Sequence, residues 1–438
     1  YDYKNRYLLE LNGRLDGSSR FLKGSRFGFF PSVSAGWNVA EEQFMRGLKN
    51  SIPMLKFRAS YGEIGNQVVF DTNKNQVYFP AIPQMGTGNA NWIDPNTGIR
   101  YLTINPPNLI SSTFSWEKAR TLNFGVDIAL FNSKLNGSFD WFRRQTIGML
   151  YQGADLPAVL GSQPPFQNIT DLESKGWELE LSWKDKIKDF KYSFAFNLSD
   201  NRGFITKINN SAGLIDGFYK GKELGEIWGY VTDRYYTGDD FQENSLNASL
   251  VNGKLKDGIP YFKGVAQNPG DVKYADLNGD GIIFSGTGTV SDPGDMKVIG
   301  NNNRRFQFGL NSNFSYKNID LSVFIQGVGK RDLWLSNFLM WPYNNEFGTL
   351  YKGNLDYWTP NNTDAAYARV YANAGLNTSA NRRTQTKYLS DGSYLRVRNI
   401  TLGYTLDRKT LRSKVIDNIK VFVSGENLFK ADHMPKGM

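Results

Sequence analysis

The sequence predicts an all-β protein: a transmembrane antiparallel β-barrel, incomplete, with about 12–14 strands, long extracellular loops and short periplasmic turns. Three observations carry that expectation. Roughly a dozen stretches alternate apolar and polar residues over about eight to thirteen positions, the period of a strand with two different faces. Links between these stretches are compact and long in alternation, as in an outer-membrane barrel. No stretch approaches the ~18–20 consecutive apolar residues of a transmembrane helix; the densest, 333–341, is short and includes Ser336 and Asn337.

Taken in order, the strands are expected at 7–15, 28–39, 54–62, 118–131, 134–142, 176–184, 190–200, 226–236, 304–316, 319–327, 393–406 and 418–428, with a few more within 65–117 and 203–265. Most are near the ~9–11 residues that a tilted strand needs to cross the hydrocarbon layer. From Leu122 to Leu130, Leu122, Phe124, Val126, Ile128 and Leu130 share one face, while Asn123, Gly125, Asp127 and Ala129 share the other. After a turn at Asn132 and Ser133, Leu135, Gly137, Phe139 and Trp141 alternate with Asn136, Ser138 and Asp140, which makes a hairpin. In the hairpin from Trp177 to Leu198, a carboxylate facing lipid would cost a few kcal/mol. Glu178 and Glu180 are therefore assigned to the interior, with Ser182, Lys191, Ser193, Ala195 and Asn197. Apolar parity shifts between Leu395 and Val397 on one side and Ile400 and Leu402 on the other, which predicts a β-bulge near Arg398 and Asn399.

Compact links are expected at 40–53, 132–133, 185–189, 317–318 and 407–417, and long loops at 63–117, 143–175, 201–225, 237–303 and 328–392. Trp37, Phe131, Trp141, Trp183, Tyr316 and Tyr404 read as one interfacial girdle beside the compact links.

Composition narrows the function. Among 438 residues, aromatics make up 14% and glycine 44 positions, and the mean hydropathy is negative, as when only one strand face meets lipid. With no cysteine, disulfides, thiolate metal sites and thiol nucleophiles are excluded, and the single histidine, His433, builds no histidine metal cluster. The net charge of +9 comes from 51 Lys and Arg scattered among 42 Asp and Glu without a basic block, which argues against nucleic acid. The chain opens on Tyr1 close to a strand and reads as an internal fragment rather than a mature N-terminus.

The sharpest local motif lies in the 237–303 loop. Asp276, Asn278, Asp280 and Gly281 open an EF-hand-like loop, in which alternate oxygen ligands and the Ile282 carbonyl would suit Ca²⁺. Thr287 stands where the bidentate acid belongs, so Asp271, Asp292 or Asp295 would have to close the site through the 284–294 insertion. An Asx-turn loop without an ion explains the same residues. Loop aromatics (Trp92, Trp228, Tyr230, Tyr235, Tyr236, Trp334, Trp341, Tyr343, Tyr357 and Trp358) could stack on sugar faces or pack on one another, and none is assigned as a substrate contact. Glu178 and Glu180 superficially match a retaining-glycosidase pair, but lumen alternation accounts for them. No phosphate loop, nucleophile elbow or metal-histidine cluster is present. The chain is not expected to be an enzyme, and no catalytic or cofactor-binding residue is assigned.

Several longer stretches carry more than periodicity: WEKARTLNFGVD (116–127), LPAVLG with NITDLESKGWELEL (156–181), PGDVKYADLNGDG (269–281), VIGNNNRRFQFGL (298–310), YWTPNNTDAAYARV (357–370), SYLRVRNITLGYTL (393–406) and VFVSGENLF (421–429). In this order they resemble the SusC/RagA family of TonB-dependent outer-membrane transporters. The resemblance implies a barrel of about 22 strands closed by an N-terminal plug, a TonB-contacting segment, and a SusD-like surface lipoprotein as a lid. Neither plug nor TonB segment is found in 1–438, and the closing PKGM resembles the family's stretch shortly before the last strand, so the chain reads as the C-terminal portion of the barrel. The expected function is part of an importer of oligosaccharides or peptides in the outer membrane, touching membrane lipid and reaching TonB through the N-terminal part. A secreted or surface-exposed all-β adhesin or glycan-binding protein is the alternative, and a nonspecific porin a third reading.

Overall fold

The computed structural model describes residues 1–70, 75–107, 109–153, 156–162, 164–210, 212–336, 341, 350–371, 380–412 and 415–434. Its frame is one twelve-stranded sheet whose ladders are all antiparallel. A short strand, Asp2–Tyr3, begins it. Then follow Tyr7–Gly17, Phe27–Asn38, Met54–Asn66, Glu117–Leu130, Leu135–Gln152, Phe166–Ile187, Phe190–Lys207, Arg305–Tyr316, Ile319–Lys330, Tyr394–Asp407 and Asn418–Asp432, each beside the one before it. Among the described residues no ladder joins the first strands to the last. The sheet is an open wall rather than a closed barrel.

Short turns occupy one end of this wall. Lys188 and Asp189 join Ile187 to Phe190, and Lys317 and Asn318 join Tyr316 to Ile319, with Lys188 and Lys317 both at φ +53°. Phe131, Asn132 and Ser133 also lie in the left-handed region. Such turns match the right-handed strand twist, which is why tight hairpins use them.

The two faces differ as the alternation requires. Tyr7, Leu9, Leu11 and Leu15 lie opposite Trp37, Ala35, Val33 and Phe29 and form an apolar outer row. Leu11, Leu15, Phe27 and Phe29 are exposed, so this face is not the interior of a soluble sandwich. The bulge near Arg398 and Asn399 is present: the ladder slips between Val397 and Asn399, and between Phe324 and Ile325 on the neighbouring side.

Three expectations change. The 226–236 stretch does not join the wall; it splits into Glu226–Tyr230, paired with Met296–Asn301, and Thr232–Tyr235, paired with Val272–Tyr274. Tyr230, Tyr235 and Tyr236 are buried, the first two in a core of other loop segments, instead of facing lipid. Trp141 is not beside a turn but part-way up its strand, opposite Trp177 and Phe124. Finally, Leu135–Gln152, Phe166–Ile187 and Phe190–Lys207 run to 18, 22 and 18 residues. In their upper parts the outward positions turn charged, with Arg143, Glu173, Lys175, Asp200 and Arg202, so the apolar alternation ends before the ladder does. The additional strands within 65–117 are two-stranded pairs, Val69–Phe70 with Gln76–Val77 and Thr87–Asn89 with Leu102–Ile104.

Candidate functional site

The inner face of the wall follows from strand parity. Arg58, Gly125 and Asp140 are directly opposite one another on three successive strands. Because Gly125 has no side chain, the Arg58 guanidinium lies across it, with Nε and Nη2 on Asp127 (2.7 and 2.9 Å) and Nη1 and Nη2 on Asp140 (3.0 and 2.8 Å). A Cβ on Gly125 would stand 2.6 Å from Arg58 Nη2 and from Asp140 Oδ1. Ser138 donates to both carboxylates. Further along, Lys420 reaches Asp320 (2.8 Å) across Gly403 in the same manner. Glu180 is opposite Ser138 and Asn197, and Glu178 opposite Asp140 and Ser199, so both glutamates belong to this polar wall, as parity predicted. Asp127 and Asp140 were legible as inward residues. Arg58 was not, because its partners lie 69 and 82 positions away.

At the other end, the described residues of the loop regions 208–304 and 331–393 pack into one canopy with its own core. Tyr230, Tyr235, Phe262, Val272, Tyr274 and Ile283 from the first meet Trp341, Trp358, Ala365 and Tyr388 from the second. Burial pushes the Tyr388 hydroxyl up to about 12. A polar knot fastens the same junction. Asp271 Oδ1 accepts from Tyr371 Oη and Asn381 Nδ2, both at 2.8 Å, while Oδ2 accepts from the Asn268 amide. Asn381 Oδ1 in turn accepts from the Val272 amide (2.8 Å), and the fully buried Gln385 donates to Tyr274 Oη and accepts from Thr232 Oγ1. Burial raises the Asp271 carboxyl above the usual aspartate value, against the opposing effect of these donors.

The Asp276 loop has the turns its sequence implied. Gly279 and Gly281 both sit at φ +80°. Asp276 accepts from the amides of Gly279 (2.6 Å) and Gly281 (2.7 Å), Asn278 from that of Asp280, and Asp280 from that of Ile282. The 284–294 insertion does fold back and returns the buried Asp295 to the base of the loop, where its oxygens accept from the Leu277 and Phe284 amides. Asp292 instead caps Thr287, and Asp271 is held in the knot. Among the described residues, no group of three or more His, Cys, Asp or Glu side chains is arranged to hold a metal.

Of the loop aromatics, Tyr230, Tyr235, Tyr236, Trp341 and Trp358 are buried in packing, Trp228 donates to Glu226, and Trp92 is exposed beside Tyr101. Tyr343 and the closing 435–438 lie outside the described residues. The sequence reading missed that two loops far apart in the chain share one core; only the density of aromatics in both hinted at it.

An antiparallel wall with an apolar outer face, a charged inner face, tight turns at one end and a folded canopy at the other is a piece of a large β-barrel. The chain belongs to the TonB dependent receptor-like, beta-barrel family, which matches residues 1–292. Relatives include TonB-dependent receptor P3 of Formosa agariphila, 28% identical over 450 residues, covering 99% of this chain and 40% of that protein. TonB-dependent receptor SusC of Bacteroides thetaiotaomicron is 27% identical over 443 residues, covering 98% and 39%. The RagAB peptide importer in its open-open state superposes with a TM-score of 0.70 at 19% identity, over 98% of this chain and 42% of that one, which shows a common fold. The resemblance to SusC and RagA read from the motifs is thus borne out, and the family consists of receptors and transporters rather than enzymes. The chain spans about 40% of the length of the curated relatives it matches.

Proposed function

We propose that this chain is part of the wall and canopy of a TonB-dependent outer-membrane importer of oligosaccharides or peptides, working with a SusD-like lipoprotein and energised through TonB. The observation that carries the reading is the contrast between the two faces: Arg58, Asp127, Asp140, Glu178 and Glu180 on one, and Leu9, Leu11, Phe29 and Val33 on the other. A wet passage bounded by lipid needs that division. The canopy, closed on its own core, offers a stable surface at the mouth for a lid. The peptide class is supported by likeness to the RagAB peptide transporter, and the oligosaccharide class by the motif resemblance to the SusC/RagA family.

The test uses the complete transporter in its native outer membrane. Deleting the gene should abolish growth on one glycan or peptide source, and the tagged protein should copurify with a lipoprotein only in detergent. Release of the protein into buffer without detergent, with growth unaffected, would favour the surface adhesin instead. We also propose Ca²⁺ in the Asp276, Asn278, Asp280 and Ile282 loop, supported by its alternate oxygens and its two left-handed glycines.

A further inference from the structure

The outer face changes chemistry at the level of Trp141 and Trp177, where Asp200, directly opposite Trp177, already pairs with Arg305. The two tryptophan rings lie directly opposite each other. From Trp177 down to Ile187 at the turn is ten positions of one strand. That length is about 33 Å of strand and about 25 Å of height at the usual tilt, the height of a barrel's apolar band. The pair therefore stands at the loop-side edge of that band, where tryptophan rings favour the headgroup level.

At the next outward position, three adjacent strands each carry a cation. Lys175 is directly opposite Arg143 on one side and Arg202 on the other. Neighbouring strands are only ~4.8 Å apart, and like charges directly opposite destabilise a sheet. Carboxylates answer part of this charge. Glu173 accepts from Arg143 Nε and Lys175 Nζ, both at 2.6 Å, and Glu223 takes Nε and Nη2 of Arg202 at 2.9 and 2.5 Å. These three cations and two carboxylates leave one positive charge, and the adjoining Asp200–Arg305 pair, beside Arg202, adds none. The carboxylates are recessed, with the Glu173 side chain 9% exposed, while the Arg143, Lys175 and Arg202 side chains are 43, 52 and 49% exposed.

We propose that the Arg143, Lys175 and Arg202 row binds the phosphate of an anionic lipid headgroup in the leaflet at the loop end of the wall. Two guanidinium groups flanking an ammonium offer several charged donors to one set of phosphate oxygens. Free phosphate would satisfy the same donors, but the tryptophan pair directly below seats the row where a lipid's phosphate lies above its acyl chains. The inference rests on the membrane-spanning reading given above.

The test is native mass spectrometry of the full-length transporter in detergent, titrated with dioleoyl phosphatidic acid and separately with dioleoylglycerol, which lacks the phosphate. The wild type should hold the first and not the second. Combining Arg143→Gln, Lys175→Gln and Arg202→Gln takes the five residues from +1 to −2 and should weaken retention roughly 100-fold. The same charge loss at the exposed loop residues Lys220, Lys254 and Lys256 should leave it unchanged. If the triple variant fails to fold, Glu173→Gln serves instead: it unmasks Arg143 and Lys175 and should tighten retention. Equal binding by wild type and variants, or equal binding of both lipids, overturns the proposal. Displacement by inorganic phosphate at matching concentration makes the row a free-anion site and overturns the lipid assignment. Outer-membrane fractionation of the wild type reports separately on the membrane reading, so the two failures are distinguishable.

Discussion

Replacing Asn381 with alanine should loosen the junction of the two long loops by about 2–4 kcal/mol. The side chain is buried and serves both partners of the knot: Nδ2 donates to Asp271, and Oδ1 accepts from the Val272 amide. Truncation strands the Val272 N–H, a buried donor whose lost partner costs about 1–3 kcal/mol. It also removes one of three donors from Asp271, leaving Tyr371 Oη and the Asn268 amide, for roughly 1 kcal/mol more. Because the wall is held by its own ladders, the change should be local. The assay is amide hydrogen exchange of the full-length protein in detergent. At about 3 kcal/mol, peptides over 268–274 should exchange on the order of 100-fold faster, while those over 122–130 and 135–142 stay unchanged. Unchanged exchange at 268–274 would refute the knot as the fastening. Faster exchange throughout the wall would refute the separation of canopy from wall.

Two further outcomes follow from the canopy. Burial raises the Asp271 carboxyl, so the unfolded loop ionises near 3.8 while the folded one holds its proton to higher pH. The folded form binds more protons across that interval, and protection of 268–274 should fall as pH rises from 3.8 through the raised folded value, a slope that Asp271→Asn should flatten in exchange measured across pH. Calorimetric titration of the complete protein with Ca²⁺ should give a heat that Asp276→Ala removes, and no heat down to millimolar affinity would overturn the ion site.

The wall was legible because lipid on one side and water on the other write a period of two into each strand. Leu122 through Leu130 and its partner from Leu135 to Trp141 could be paired and faced from their residues alone. The same signal failed at Glu226–Tyr230 and Thr232–Tyr235, which pair with Met296–Asn301 and Val272–Tyr274 and bury Tyr230 and Tyr235 in a loop core rather than turning them to lipid. Periodicity reports two unlike faces and does not say which medium each one meets. It also stopped short at Arg143 and Lys175, because above the apolar band a strand needs no lipid face to remain paired. Asp127 and Asp140 could be placed on the inner wall, but their shared cation could not, since the Met54–Asn66 ladder brings Arg58 from the far side of a long loop.

The two glycine crossings bear on how such a wall can be charged and still leave a passage. A guanidinium standing straight out from the strand would reach into the lumen with its donors in water. Over Gly125, the Arg58 head instead lies against the sheet, anchored on Asp127 and Asp140 of the two following strands. Lys420 does the same over Gly403 toward Asp320, linking strands that are not neighbours. These ion pairs are partly solvated, so their contribution to stability is modest. Their larger effect is geometric. They hold long side chains flat, fix which oxygens and donors face the passage, and do so only while positions 125 and 403 lack a Cβ. A side chain at either glycine would lift the cation from the wall, and with it the polar surface that the inner face presents.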